Sequence, residues 1–174
     1  MEFEHALIIG GTGMLNSASR YLSKHASHVT LVSRDGDAAR QRLSFPHANY
    51  ISADWTMPAV FIDRLKPALA LRPVDLILLW MHRSGREARL SLLNAVRGSN
   101  SRIIDVHGSG AADVMERIAQ RRLEVSQAGC RYNAVLLGSL LGDNQSPRWL
   151  THDEISRAVI EAVQTESDVV AGNV

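Results

Sequence analysis

The sequence predicts an α/β protein, a doubly wound parallel sheet of six to seven strands with helices on both faces, forming a three-layer sandwich. Short apolar runs recur along the chain with helix-like segments between them, the alternation that builds such a sheet. The runs are almost continuously apolar, as strands buried on both faces are, whereas a half-exposed sheet alternates. The first run leads directly into glycines at positions 10, 11 and 13, and a helical pattern follows them. At 174 residues, with 45% hydrophobic and 21% charged residues, the chain has the length and composition of a single globular domain spanning residues 1–174.

The elements follow in order. Residues 5–9 form the first strand and residues 14–24 the first helix; strands at 29–32, 50–51, 74–80, 102–106 and 133–137 succeed them, and 169–171 is a candidate edge strand. Local chemistry marks the helix ends. Ser84 with Glu87, and Thr151 with Glu154, have the spacing of capping boxes, in which hydroxyl and carboxylate satisfy free backbone N–H groups reciprocally. Pro58, soon after Thr56, suits a first helical turn, where its missing N–H loses no hydrogen bond. Gly129 suits the left-handed position that closes a helix begun after Ser109. Residues 142–148 form the most turn-like stretch.

Lys and Arg total 19 and Asp and Glu 18, a net charge of +1, which gives no basis for a nucleic-acid face or for an anionic membrane surface. Cys130 is the single cysteine and has no partner for an internal disulfide. The longest apolar stretch, residues 74–81, carries Asp75 and is too short to cross a bilayer. The acidic N-terminus lacks the positive region of a secretory signal. These features point to a cytoplasmic protein with a small-molecule partner, and to neither nucleic acid nor membrane. No His, Cys and carboxylate group has the close spacing of a metal site, so none is expected.

Strand, glycines and helix stand in the order that a dinucleotide-binding turn requires. Glycine permits a tight turn and lets the main chain approach a pyrophosphate, whose charge is received by free N–H groups and the positive end of the following helix. Gly10, Gly11, Thr12, Gly13, Met14 and Leu15 are therefore candidate cofactor-binding residues in a Rossmann fold, although Asn16 replaces the last glycine of the usual string. The plain alternative is a tight turn with no ligand. In such folds the end of the second strand meets the adenosine ribose, with an acidic side chain for a free 2′-hydroxyl and a basic one for a 2′-phosphate. Ser33 and Arg34 occupy that place, a hydroxyl and a guanidinium suited to phosphate, so NADP(H) is preferred over NAD(H). In the competing reading Asp35 caps a helix and Arg34 is a solvated charge.

With Gly10-Gly11-Thr12-Gly13, Ser33-Arg34 and Ala53-Asp54-Trp55 in place, the chain resembles the short-chain dehydrogenase/reductase superfamily over most of its length. The segments Leu79-Trp80-Met81-His82 and Arg148-Trp149-Leu150-Thr151 are similar to a compact bacterial branch of it. The resemblance implies that Asp54 holds the adenine amino group with Trp55 beside it in the cofactor site. It also implies that the main chain at Trp80, Met81 and His82 lines the cofactor, and that Ser109 polarises a substrate oxygen. Two family features are missing. The superfamily's chemistry rests on Tyr-x-x-x-Lys, a proton-transferring tyrosine with a lysine that lowers its pKa. Here none of Tyr21, Tyr50 and Tyr132 has a lysine four residues on, and the only lysines are Lys24 and Lys66. The Asn-Asn-Ala-Gly stretch after the fourth strand is replaced by Trp80-Met81-His82.

Ligands in an open parallel sheet collect at the carboxyl ends of the strands, near the point where strand order reverses. That rule brings His82, His107 and Ser109 toward one crevice as candidate catalytic residues. Ser109 would hydrogen-bond a carbonyl oxygen, and His82 or His107 would donate the proton, histidine being the side chain that ordinarily titrates near neutrality. Each has a bland counterpart: Ser109 as a helix cap, and His107 as a buried histidine bonded to backbone. Trp80 reads as a pocket wall or as core, and Trp149 as part of a lid or of a subunit contact. Little chain remains after residue 138 for a substrate lid, so the pocket is open or completed by a second subunit in a homodimer. Two functions stay open, an NADP(H)-dependent oxidoreductase of a small carbonyl or alcohol using a non-standard acid, and a catalytically silent NADP(H)-binding sensor. A structural module with an empty cleft requires the glycine turn to be fortuitous. Fold alone decides none of these.

Overall fold

The computed structural model describes residues 3–110, 112–142 and 146–174. Met1 and Glu2 of the acidic N-terminus, and residues 143–145 of the turn-like stretch, lie outside the described residues. The elements are β1 (Phe3–Ile9), α1 (Asn16–His25), β2 (Ala26–Ser33), α2 (Gly36–Leu43), β3 (Ala48–Ser52), α3 (Pro58–Leu71), β4 (Leu76–Leu79) and α4 (Arg86–Ala95). They continue with β5 (Arg102–Gly108), α5 (Val114–Gln127), β6 (Arg131–Leu137), β7 (Ser139–Leu141), β8 (Pro147–Trp149), α6 (His152–Thr165) and β9 (Val169–Ala171). The main sheet has seven strands in the order β3-β2-β1-β4-β5-β6-β9, and each neighbouring pair is parallel. This is the doubly wound α/β fold read from the sequence, with residues 169–171 as its edge strand. Strand order reverses between β1 and β4.

Alternation along each strand sorts the core into two layers. Ile8, Leu31, Leu78, Ile104 and Val135 face a layer with Leu22 of α1 and Val159 of α6. Leu7, Ile77, Ile103 and Ala134 face Phe61 and Leu65 of α3, Leu92 of α4 and Ile118 of α5. Phe61 and Leu65 are completely buried, and each such side chain contributes about 1.5–3 kcal/mol relative to exposure.

The local expectations are met unevenly. Thr151 and Glu154 form both halves of a capping box at the start of α6. Ser84 and Glu87 do not: the chain makes a 3₁₀ turn at Arg83–Gly85, and the Ser84 hydroxyl accepts from the Trp55 indole N–H at 3.2 Å. Pro58 opens α3, while the Thr56 hydroxyl donates to Asp54 and caps nothing. β4 is shorter than residues 74–80, and the Asp75 carboxylate accepts the N–H groups of Glu4 and His5 at the strand's entrance. α5 begins at Val114, well after Ser109, since β5 runs on to Gly108 and a turn follows. Gly129 follows α5 with φ +70°, as expected of a left-handed helix stop. The antiparallel pair β7 and β8 was not anticipated.

Candidate functional site

The chain leaves β1 through Gly10, whose φ is +79° and where a Cβ would stand 2.4 Å from the Trp80 carbonyl oxygen. The Trp80 N–H donates to the Ile9 carbonyl at 2.9 Å, so the exits of β1 and β4 touch where strand order reverses. Gly11 is enforced by packing. A Cβ there would lie 2.3 Å from Ile8 Cγ2 and 2.4 Å from Ser19 Oγ, and that hydroxyl donates to the Gly11 carbonyl at 2.9 Å. Gly13 is different, because a Cβ there would meet nothing within 4 Å. Its bareness serves no contact among the described residues and leaves open space over the turn.

The N–H groups of Gly11, Thr12, Gly13, Met14 and Leu15 have no acceptor among the described residues. They lie just before α1, at its positive dipole end. The Leu15 side chain is fully buried, and the Met14 carbonyl accepts the Ser156 hydroxyl at 3.3 Å, so both residues anchor the turn. Sequence reasoning missed Arg42 of α2, whose Nη2 donates to the Thr12 carbonyl at 2.6 Å and brings a positive charge to the turn.

A cleft of about 390 Å³ opens here, and the structure brings Gly10, Thr12, Ser33, Arg34, Asp54, Trp55 and Trp80 together in its wall. Thr56, His82 and Ser84 complete the wall. The Asp54 Oδ1 accepts both the N–H and the hydroxyl of Thr56 at 2.8 Å, and these bonds, with a smaller effect of the Arg34 charge, hold its carboxyl below the usual range. The Ser33 hydroxyl donates to the Asp35 carbonyl at 2.7 Å. Asp35 Oδ1 accepts the Ala38 N–H at 2.9 Å and caps α2, as the competing sequence reading had it. Arg34 is exposed and makes no hydrogen bond or ion pair among the described residues.

Trp80 and His82 also border a second compartment of about 350 Å³, whose wall includes Met81, His107 and Trp149. His82 is exposed, edge-on to Trp80 and Trp55 with ring centroids 5.6 and 6.1 Å away. Gly108 and Gly110 belong to the wall, but Ser109 between them does not, and its N–H is bonded to the Leu137 carbonyl at 2.9 Å. His82 and His107 therefore share one compartment, with Ser109 beside its wall.

Beneath His107 lies a buried polar group absent from the sequence reading. Residues 105 and 107 project from the same face of β5, under α5. Arg121 Nη1 bonds both oxygens of the Asp105 carboxylate, the Tyr132 hydroxyl donates to Asp105 Oδ2 at 3.1 Å, and His107 Nε2 lies 2.9 Å from that hydroxyl. Burial pushes the Asp105 carboxyl up, but the hydrogen bond from His107 and the charges of His107 and Arg121 outweigh it and hold the group below its usual range. Burial, reinforced by Asp105, pushes the Tyr132 phenol up, so it stays protonated and donates. His107 Nε2 also lies 3.2 Å from Asp105 Oδ2, so this nitrogen is turned toward the buried group. The alternation of Asp105 and His107 along β5, and the four-residue spacing of Arg117 and Arg121 on α5, were the available signals in the sequence.

Among the described residues no group of three His, Cys, Asp or Glu is placed to hold a metal ion, and no helix is long and apolar enough to cross a membrane. No family model matches the sequence, and no curated protein does so. The fold does match solved structures. A short-chain type dehydrogenase/reductase from Mycobacterium marinum superposes with a TM-score of 0.73 at 16% identity, over 98% of this chain and 94% of that one. An NADH-dependent reductase complexed with NAD gives 0.72 at 14% identity, over 98% and 96%. A metagenomic short-chain oxidoreductase in complex with NADP gives 0.65 at 15% identity, over 99% of each chain. At these identities the likeness establishes the shared fold.

Proposed function

We propose that this chain is a short-chain dehydrogenase/reductase-like oxidoreductase that holds NADP(H) in the cleft over Gly10 to Gly13 and acts on a small carbonyl or alcohol. One observation carries the reading: at Gly13 a bare backbone position borders open space, beside five main-chain N–H groups with no acceptor among the described residues. Such a cradle fits a pyrophosphate. Ser33 and the unpaired Arg34 would take the 2′-phosphate, and Asp54, through the oxygen that Thr56 leaves free, the adenine amino group. Trp55, Trp80 and Met81 would flank the remainder.

The dinucleotide, when bound, supplies or accepts the hydride. The chain's own residues handle the proton. Tyr132 and Asp105 fix His107 with its Nε2 directed inward. In a protonated ring Nδ1–H gives its proton to the oxygen of the carbonyl being reduced, and in a neutral ring Nδ1 takes the proton from an alcohol being oxidised. Ser109, next to the wall, would hydrogen-bond the same oxygen, and His82 is the alternative donor.

The test is NADPH oxidation across a panel of aldehydes, ketones and quinones, followed by the variants H107A, H82A and S109A. The reading expects turnover on at least one compound and its loss in H107A; undiminished turnover in all three variants would remove the proposed acid. A second reading, a catalytically silent sensor of the dinucleotide, is favoured by the residues α5 offers to the compartment, Arg117 and Arg121 with no tyrosine or lysine. Tight NADPH binding without turnover on any compound would select it.

A further inference from the structure

The second compartment is lined by three arginines, Arg83, Arg117 and Arg121, and by no Asp or Glu among the described residues. Two of the three are committed. Arg121 grips Asp105 under the wall, and Arg83 pairs with Asp113. The Arg117 guanidinium has no hydrogen-bond or ion-pair partner among the described residues, and its Nε is enclosed. Arg117 also borders a neighbouring cavity of about 260 Å³ with Arg86, Arg89, Asp113 and Glu116, yet neither acid is within ion-pair distance of it. An enclosed guanidinium nitrogen without an acceptor is costly for a protein to keep; Arg72, Arg89 and Arg102 also have one, but of these four only Arg117 borders the compartment.

We infer that Arg117 receives an oxyanion of the substrate, so that the substrate class is a small carbonyl or alcohol compound carrying a carboxylate or phosphate group. The guanidinium fork presents two parallel N–H donors that match two oxygens of either group. Trp80, Met81, Val106 and Trp149 provide an apolar wall for the carbon body. The compartment's volume of about 350 Å³ lies at the lower end of the range for small-molecule sites, roughly 300–1,000 Å³. His107 belongs to the same wall, so an anion on Arg117 would tether a carbonyl within the compartment that holds the proposed acid.

This inference rests on the oxidoreductase reading of the cleft, and its test is kept separate from that reading. Isothermal titration of the full chain, without dinucleotide, uses three aldehydes that differ only at the para position: 4-formylbenzoate, 4-formylphenyl phosphate and the uncharged methyl 4-formylbenzoate. At least one anion should bind about tenfold or more tightly than the ester, and whichever anion wins identifies the group. R117M should abolish the preference while leaving ester binding unchanged, and R86M, outside this compartment, should retain it. Should R117M fail to fold, R117K keeps the charge but not the fork and should reduce the preference severalfold. Equal binding of ester and anions, no binding of any of the three, a preference that survives in R117M, or one that is undiminished in R117K overturns the inference. Anion selectivity without any NADPH binding would leave the Arg117 site standing and defeat the oxidoreductase reading alone.

Discussion

Arg121 Nη1 lies 2.9 and 2.8 Å from the two carboxylate oxygens of Asp105, directly beneath the wall that His107 forms. Both partners are buried. A buried pair of this kind adds little net stability over a well-packed apolar pair, but removing one member strands the other charge in a poor solvent. D105N should therefore cost about 3–5 kcal/mol in urea unfolding. A loss below about 1 kcal/mol, the value typical of a surface pair, would show that the pair is not buried as described.

The same pair gives stability a defined acid dependence. Asp105 has its carboxyl depressed in the folded protein, so on acidification the unfolded chain takes up the proton first. Its contribution is fully present above the unfolded value, about 4, and is lost as pH falls through the folded value. The stability gap between wild type and D105N should be constant near neutrality and narrow below about pH 4. A gap that widens on acidification would contradict the depressed carboxyl.

Gly10 and Gly13 should separate on substitution. G10A places a side chain at φ +79° and 2.4 Å from a backbone oxygen, and should destabilise the fold by more than about 1–2 kcal/mol. G13A meets nothing, so stability should stay within about 0.5 kcal/mol of wild type. Its dinucleotide affinity should nevertheless fall about tenfold or more, because on the proposed reading the side chain would stand where the main chain approaches the pyrophosphate. Thermal melts and titrations of both variants check this. Unchanged affinity in G13A would mean that the open space there serves no ligand.

On the proposed reading, Arg34 sets the preference between the two coenzymes. R34A should weaken NADPH binding by about tenfold or more and leave NADH binding unchanged, as expected when one charge-assisted phosphate contact is removed. Equal weakening of both, or of neither, would return Arg34 to the role of a solvated charge.

What the sequence disclosed follows from how local each feature is. The strands were legible because runs such as residues 102–106 are buried on both faces, and the Thr151–Glu154 cap because its chemistry closes within one turn. The Ser84–Glu87 box has the same spacing, but the Trp55 indole, 29 residues away, claims the hydroxyl. β7 and β8 have three residues each, too few to show any period. In the cleft, Ser33, Arg34 and Asp54 were legible since strand ends fix their places. The Asp105, Arg121, Tyr132 and His107 group was not, because Arg121 and Tyr132 lie 16 and 27 residues from Asp105 and meet it only through the register of β6 and the rotation of α5. Arg117 was illegible for a related reason, its significance being the lack of a partner.

Nicotinamide dinucleotide binding at the turn from Gly10 to Gly13 is the proposed property on which the others depend. Calorimetric titration of the unmodified chain with NADPH and with NADH tests it most directly. Saturable binding of one molecule per chain, tighter for NADPH, is the predicted result; no binding of either coenzyme up to millimolar concentration would contradict it.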